Sequence, residues 1–570
     1  MRSSRRALVP AFAALLIASA GFVVACVGSQ PSTPAVDRRP VVAALRAEPR
    51  SFNRLAAPDR GSLVVSLLLN ARLVELNHKT HDIEPALATK WSLAADGKTY
   101  TLDLRPGVTF SDGAPFTADD VVFTFDAVYD PKVDSPLASA LTIGGKPMAV
   151  RKTGDHQVVL TFPTPYGPGL RILDSLPILP AHKLKDALAK GEFAKAWTTA
   201  TPPAELAGLG PYVLTGYAAG DRLELARNPR YGARGPDVHP GVEHLTLRIV
   251  PKQDAERVAL EAGELDLLNS ELRPDDLRAV RALAAAGKVK TYDLGPAVDA
   301  DMLWFNLRAD QKKPAAARPW ADVRFRRAVL QAIDRQAFVD TVYFGAGTPL
   351  DGPITPGNKA WHASGLPQYP FDAAKAKTEL AQLGVVDTNG DGVLDLKGKP
   401  FVIELLTQRG NAGRERGSQV IAEQLKKSGL AVDVVALDPP ALVERISKGT
   451  YDAIYYGVSS GDTDPSVNLD YWLSSGSFHV WNPSQKKAAT PWEAEIDRLM
   501  QELTGLTEAS ARQARFAKVQ EIFVTNLPAI FLAAPNLTTA TSTRVEGLEP
   551  GPLYPYLLWR ADTMRLAQPH

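Results

Sequence analysis

The stretch Thr101-Leu102-Asp103-Leu104-Arg105-Pro106-Gly107-Val108-Thr109-Phe110-Ser111-Asp112-Gly113, followed by Phe116-Thr117-Ala118-Asp119-Asp120-Val121, sets a strand, a turn and a capped helix side by side. From Thr99 to Leu104 apolar and polar residues alternate, as in a strand with one buried face. Ser111-Asp112-Gly113 has turn chemistry: side-chain acceptors for nearby backbone N–H groups, then a residue free to take positive φ. Thr117 is the N-cap candidate. Asp120 stands three residues on, and the carboxylates of Asp119 and Asp120 suit the positive end of the helix dipole. Val121, Phe125 and Val128 then share one apolar face.

Outward from this block the chain alternates strands with helices. On the N-terminal side, 40–45 is apolar enough for a buried strand, 46–53 reads as a loop, and 62–73 has apolar residues at helical spacing. On the C-terminal side, 254–261, 274–286, 322–332, 419–428 and 512–525 read as helices. Between them 265–268, 303–306, 401–406, 432–437 and 529–533 read as strands. This rhythm predicts α/β lobes with largely parallel sheets.

The first residues carry a different signal. Arg2, Arg5 and Arg6 precede an apolar stretch over 7–25 that is broken by Pro10, Ser19 and Gly21, which is signal-peptide anatomy. Val23-Val24-Ala25-Cys26 matches the lipobox pattern. The thiolate of Cys26 would accept a diacylglycerol, and cleavage before it would leave Cys26 as the new N-terminus. Cys26 is the only cysteine, so no disulfide forms within the chain. The alternative is a simple membrane-spanning anchor with an incidental cysteine; the run is short for a span and Pro10 interrupts it. Both readings place the rest of the chain outside the cytoplasm. Residues 26–39, rich in small residues and proline, read as a flexible tether.

The remaining body of about 530 residues exceeds what one hydrophobic core usually serves, so two or three lobes are expected. The formal charge is +1, and −2 once the three arginines of 1–25 are removed. A near-neutral chain of evenly mixed charge does not suggest a nucleic-acid partner.

Several blocks together resemble one family. These are the opening stretch, Gly208-Leu209-Gly210-Pro211-Tyr212 with Arg227-Asn228-Pro229-Arg230-Tyr231, Gly263-Glu264-Leu265-Asp266, and Phe305-Asn306 with Ala332-Ile333-Asp334-Arg335. In this order they resemble the extracellular solute-binding family of oligopeptide-, dipeptide- and nickel-binding proteins. The resemblance implies a class II periplasmic-binding-protein-like α/β fold: two hinged lobes plus an inserted domain. The first lobe would comprise 40–75, 201–295 and 525–570, the inserted domain 76–200, and the second lobe 296–524. It also implies a peptide or small-molecule ligand, an ABC permease and ATPase as partners, a monomer, and no cofactor.

Within that family's frame Tyr451-Asp452-Ala453-Ile454-Tyr455-Tyr456 to Asp462-Thr463-Asp464-Pro465 resembles the segment whose aspartate pairs with a peptide's α-ammonium. The usual position, four before the proline, is Gly461 here. Asp462 and Asp464 are the candidates instead, for ligand contact or for shaping a turn before Pro465. Ser51, Phe52 and Asn53 occupy a loop expected along the cleft. Trp304 and Asn306 lie on a strand expected near the hinge, with Tyr456, Trp481 and Arg409 as further ligand candidates. His479 is the residue a nickel- or metallophore-binding alternative would use, and solvated arginine or core histidine and tryptophan are the ordinary readings of those types.

Asp387-Thr388-Asn389-Gly390-Asp391-Gly392-Val393-Leu394-Asp395 mimics a calcium loop, but the twelfth position is Gly398 rather than glutamate, and a polar hairpin is the default; no metal is expected. A secreted hydrolase is a third alternative. The sequence carries no Gly-x-Ser-x-Gly elbow, His-Glu-x-x-His or phosphate loop, so no catalytic residue is assigned.

Overall fold

The computed structural model describes residues 39–309, 317–458 and 462–568; Cys26 and Gly461 lie outside them. The opening stretch folds as read. The strand Thr99–Leu104 alternates buried and open residues, and the helix Ala118–Tyr129 starts at an N-cap on Thr117 closed by a capping box with Asp120. Val121, Phe125 and Val128 are buried on one helix face. Each such side chain contributes about 1.5–3 kcal/mol by leaving water. The second carboxylate oxygen of Asp120 accepts the Ala181 N–H at 2.9 Å, which ties the helix start to the next segment.

Behind that helix Ala88–Leu93, Thr99–Leu104, Gln157–Thr161 and Ala149–Gly154 form an antiparallel four-stranded sheet. A second four-stranded sheet has the order Val41–Leu45, His244–Ile249, Arg222–Arg227, Tyr212–Ala218. Its first pair is parallel and the others antiparallel. The parallel expectation fails where a three-residue connection joins Tyr212–Ala218 to Arg222–Arg227, because only antiparallel strands can be joined so tightly. The stretch 265–268 forms no strand; Leu267 makes only isolated bridges to Ala43 and Thr541.

The chain then enters a five-stranded sheet ordered Ala431–Leu437, Val402–Gln408, Ala453–Gly457, Asp301–Phe305, Ala529–Phe531. The first three run parallel; the last two, by which the chain enters and leaves, run against their neighbours. Before and after this sheet lie Val289–Pro296 and Ala533–Ser542, which pair with each other, so the two crossing segments are held together. Apolar residues from 41 to 267, with the stretch 545–564, make one continuous core. The five-stranded sheet has its own core on each face. This is a two-lobe α/β architecture in which the four-stranded antiparallel layer shares the first lobe's core.

The Gly208-Leu209-Gly210 block owes its glycines to a close approach. A Cβ at 208 would lie 1.9 Å from the Leu69 carbonyl oxygen, and one at 210 would lie 2.3 Å from that of Leu68. The block thereby seals the C-terminal end of the helix Arg60–Leu69, with Gly210 N–H donating to the Leu69 carbonyl at 2.9 Å. The loop from Asp387 closes on itself: Asp387 accepts N–H bonds from Gly390 and Gly392, and a hairpin of Asp395–Leu396 with Lys399–Pro400 follows.

Candidate functional site

A cavity of about 2070 Å³, counting its open mouth, lies where the crossing segments meet both bodies. One wall comes from residues 139–144, the turn leading into the hairpin of Thr142–Ile143 with Lys146–Pro147, and from the loop carrying Thr164 and Tyr166. The other comes from 353–358 and from the long loop after the strand Ala453–Gly457. Val298, Asp299, Ala300, Met302 and Phe531 form the floor beside the crossing strands. The walls are aromatic at Tyr166, Tyr471, Trp472 and Phe478. Their charged members, among the described residues, are Asp299, Asp462 and Asp470. A large, mostly apolar concavity with a few convergent polar groups is the geometry of a ligand site.

Among the described residues, Gly167 and Arg171 make hydrogen bonds that bridge the walls. Gly167 N–H donates to the Thr504 carbonyl at 2.6 Å. Arg171 Nε donates to Asp462 Oδ1 at 2.6 Å, and the same guanidinium reaches the Thr463 hydroxyl and the His81 carbonyl. Burial pushes the Asp462 carboxyl above the ordinary aspartate range, against the pull of Arg171. Burial, then the carboxylates of Asp464 and Asp462, push the Tyr166 phenol up as well.

Of the residues singled out from the sequence, Asp462 alone lines the cavity. Asp464 sits behind the wall in a buried pair with Arg512 and caps the short turn Pro465–Asn468. Ser51 and Asn53 bond to the Trp197 and Phe193 carbonyls, and Phe52 packs edge-on to Tyr217; all three are buried away from the cavity. Trp304 is core, its indole N–H on the Tyr451 hydroxyl. Asn306 is also fully buried and donates to the carbonyls of Gly449 and Tyr451. Tyr456 lies under the Arg414 guanidinium at 4.1 Å. Trp481 is buried against Tyr471 and Phe523. Arg409 is exposed and donates to the Ala436 carbonyl. His479 is buried with one ring nitrogen on the Tyr471 carbonyl and the other on Glu493, which leaves none for a nickel ion. Among the described residues no cluster of three or more His, Cys, Asp or Glu is arranged to hold a metal.

The wall aromatics were missed. The run Tyr471-Trp472, six residues past Pro465, was a signal, as was the proline- and glycine-rich loop Pro163-Thr164-Pro165-Tyr166-Gly167-Pro168-Gly169. Such a loop is stiff enough to hold one aromatic ring at a cleft edge.

The sequence model of the bacterial extracellular solute-binding proteins, family 5 (middle region), matches residues 82–479, most of the body just described. The chain belongs to that family. This solute-binding protein is 28% identical over 509 residues to a probable ABC transporter-binding protein of Deinococcus radiodurans, covering 85% of this chain and 84% of that one. It is 26% identical over 555 residues to the oligopeptide-binding protein AppA of Bacillus subtilis, covering 94% of each. The structure of AppA in complex with a nonapeptide superposes with a TM-score of 0.69 at 26% identity, over 93% of this chain and 99% of that one. NikA from Brucella suis, solved with Fe(III)-EDTA, shares the fold with a TM-score of 0.77 at 21% identity, over 93% and 100%.

Proposed function

We propose that this solute-binding protein is the receptor of an ABC importer, capturing peptides or related small solutes in the interlobe cleft and handing them unchanged to a membrane permease. One observation carries the reading. An aromatic-walled cavity of about 2070 Å³, counting its open mouth, lies at the crossing of two lobes in a chain related along its length to a peptide-binding receptor. Hinged lobes can close on a ligand, hide it from water and create a surface a transporter reads.

The lobes are assigned as 40–75 with 201–295 and the chain's end, the inserted domain as 76–200, and the second lobe as 296 onward. The return crossing is put just after Phe531 rather than at 525, since Ala529–Phe531 completes the second lobe's sheet. The receptor acts as a monomer without chemistry, tethered through lipid on Cys26. A melting assay against a broad peptide and metabolite collection tests the binding role, since a ligand of the native state must raise Tm. No shift with any member overturns it. Labelling with a radioactive fatty acid tests the tether: wild type takes up label and Cys26→Ala does not.

A further inference from the structure

We infer that Arg171 sets the specificity of one wall of the cleft: it occupies Asp462 from within the chain, so that carboxylate receives a blocked or uncharged amino end rather than a free α-ammonium group. The inference rests on the peptide reading above and names the class of peptide.

Asp462 is the one sequence-identified carboxylate that reaches the cavity wall. Its Oδ1 already accepts two bonds, from Arg171 Nε at 2.6 Å and from the Asp464 N–H at 2.9 Å. Arg171 is fixed in turn. Nη1 donates to the His81 carbonyl and Nη2 to the Thr463 hydroxyl, so all three of its nitrogens are engaged. Both side chains are nearly out of water, 12% and 14% exposed. An ammonium docking here must either expel the guanidinium, stranding a buried cation, or lie beside it against like-charge repulsion. A neutral amide N–H meets neither obstacle. The neighbouring Asp464 offers no substitute, since both its oxygens serve Arg512. Asn358, in the same wall, holds the Thr463 carbonyl at 2.7 Å through Nδ2.

The test uses the full chain in detergent and a random tetrapeptide library, half of it N-acetylated with an isotope-coded acetyl group. Peptides retained after rapid desalting are read by mass spectrometry. Wild type is expected to retain acetylated peptides at least as well as free ones. Arg171→Met, which frees Asp462, is expected to shift the ratio at least tenfold toward free amino ends, and Asp462→Asn added to it should abolish the shift. A wild-type pool enriched tenfold or more in free amino ends overturns the inference and leaves the peptide reading standing; this arm decides by itself if the variant does not fold. A folded Arg171→Met with an unchanged ratio overturns it too. Retention of neither kind of peptide removes the peptide reading, and the inference with it.

Discussion

Asp464 and Arg512 face each other behind the cleft wall as a fork-to-fork pair, with Nη1 to Oδ2 at 2.7 Å and Nη2 to Oδ1 at 2.8 Å. The side chains are 4% and 6% exposed. Arg512 also donates to Ser466 Oγ and stacks over the Trp361 ring at 5.0 Å. The pair therefore joins the helix Ala509–Asn526 to the loop that shapes the binding surface. A bidentate geometry of this kind couples two elements directionally as well as energetically.

Breaking that pair from one side leaves a buried charge uncompensated. Asp464→Ala and Arg512→Ala should each lower the unfolding free energy by about 3–5 kcal/mol. The double variant should cost less than the sum, because the residues share one interaction. Urea unfolding of the four proteins checks this; strictly additive losses would show that the two residues act independently.

The buried histidines predict how stability responds to acid. Burial, then the nearby Arg72, pushes His78 down to about 3, where its ring stacks on Trp559 at 4.7 Å. Burial and Arg171 push His81 down to about 4. Below pH 6.5 the unfolded chain takes up protons that the native state refuses. Stability is therefore full above pH 6.5 and falls as pH drops toward 3–4. For His78 the slope approaches about 1.4 kcal/mol per pH unit. The decline between pH 6.5 and 4 should be shallower in His78→Gln than in wild type, measured by urea midpoints across that range; parallel curves would refute the assignment.

Phe478 separates binding from folding. It lies in the cavity wall yet is 55% exposed, so removing its ring disturbs little packing. Phe478→Ala should leave Tm within a degree or two of wild type while weakening the best peptide by roughly tenfold, the worth of one aromatic contact. Calorimetric titration beside a melting curve distinguishes this from a general loss of structure.

What the sequence made legible was mostly local. The Thr117–Asp120 capping box spans four residues, and the alternation of 99–104 needs no partner to be seen. Gly208 and Gly210 were visible as a motif, but their reason, the end of a helix some 140 residues earlier, was not. The same distance effect governs the site. Asp462 and Asp464 stood out as candidates, while the arginines that occupy them lie 291 and 48 residues away. Trp304 was placed on the right strand, which ends at Phe305, one residue before Asn306; yet that strand is covered on both faces, and periodicity cannot tell a cleft from a second core.

Gly167 tests whether the contact between the walls persists in solution. A Cβ at this position would lie 2.3 Å from the Leu506 carbonyl oxygen and 2.4 Å from Arg512 Nε, closer than non-bonded atoms tolerate. The residue also donates its N–H to Thr504 at 2.6 Å, so it cannot retreat without losing that bond. Gly167→Ala should therefore push the loop carrying Tyr166 away from the opposite wall. Binding that depends on closure weakens in proportion to the fraction of closed molecules, so a tenfold or larger loss of affinity is expected, with a larger radius of gyration in X-ray scattering. Gly505→Ala, where an added Cβ meets nothing within 4 Å, is the control and should match wild type in both measurements. If Gly167→Ala also matches wild type, the contact between the walls is not part of the ligand-binding state.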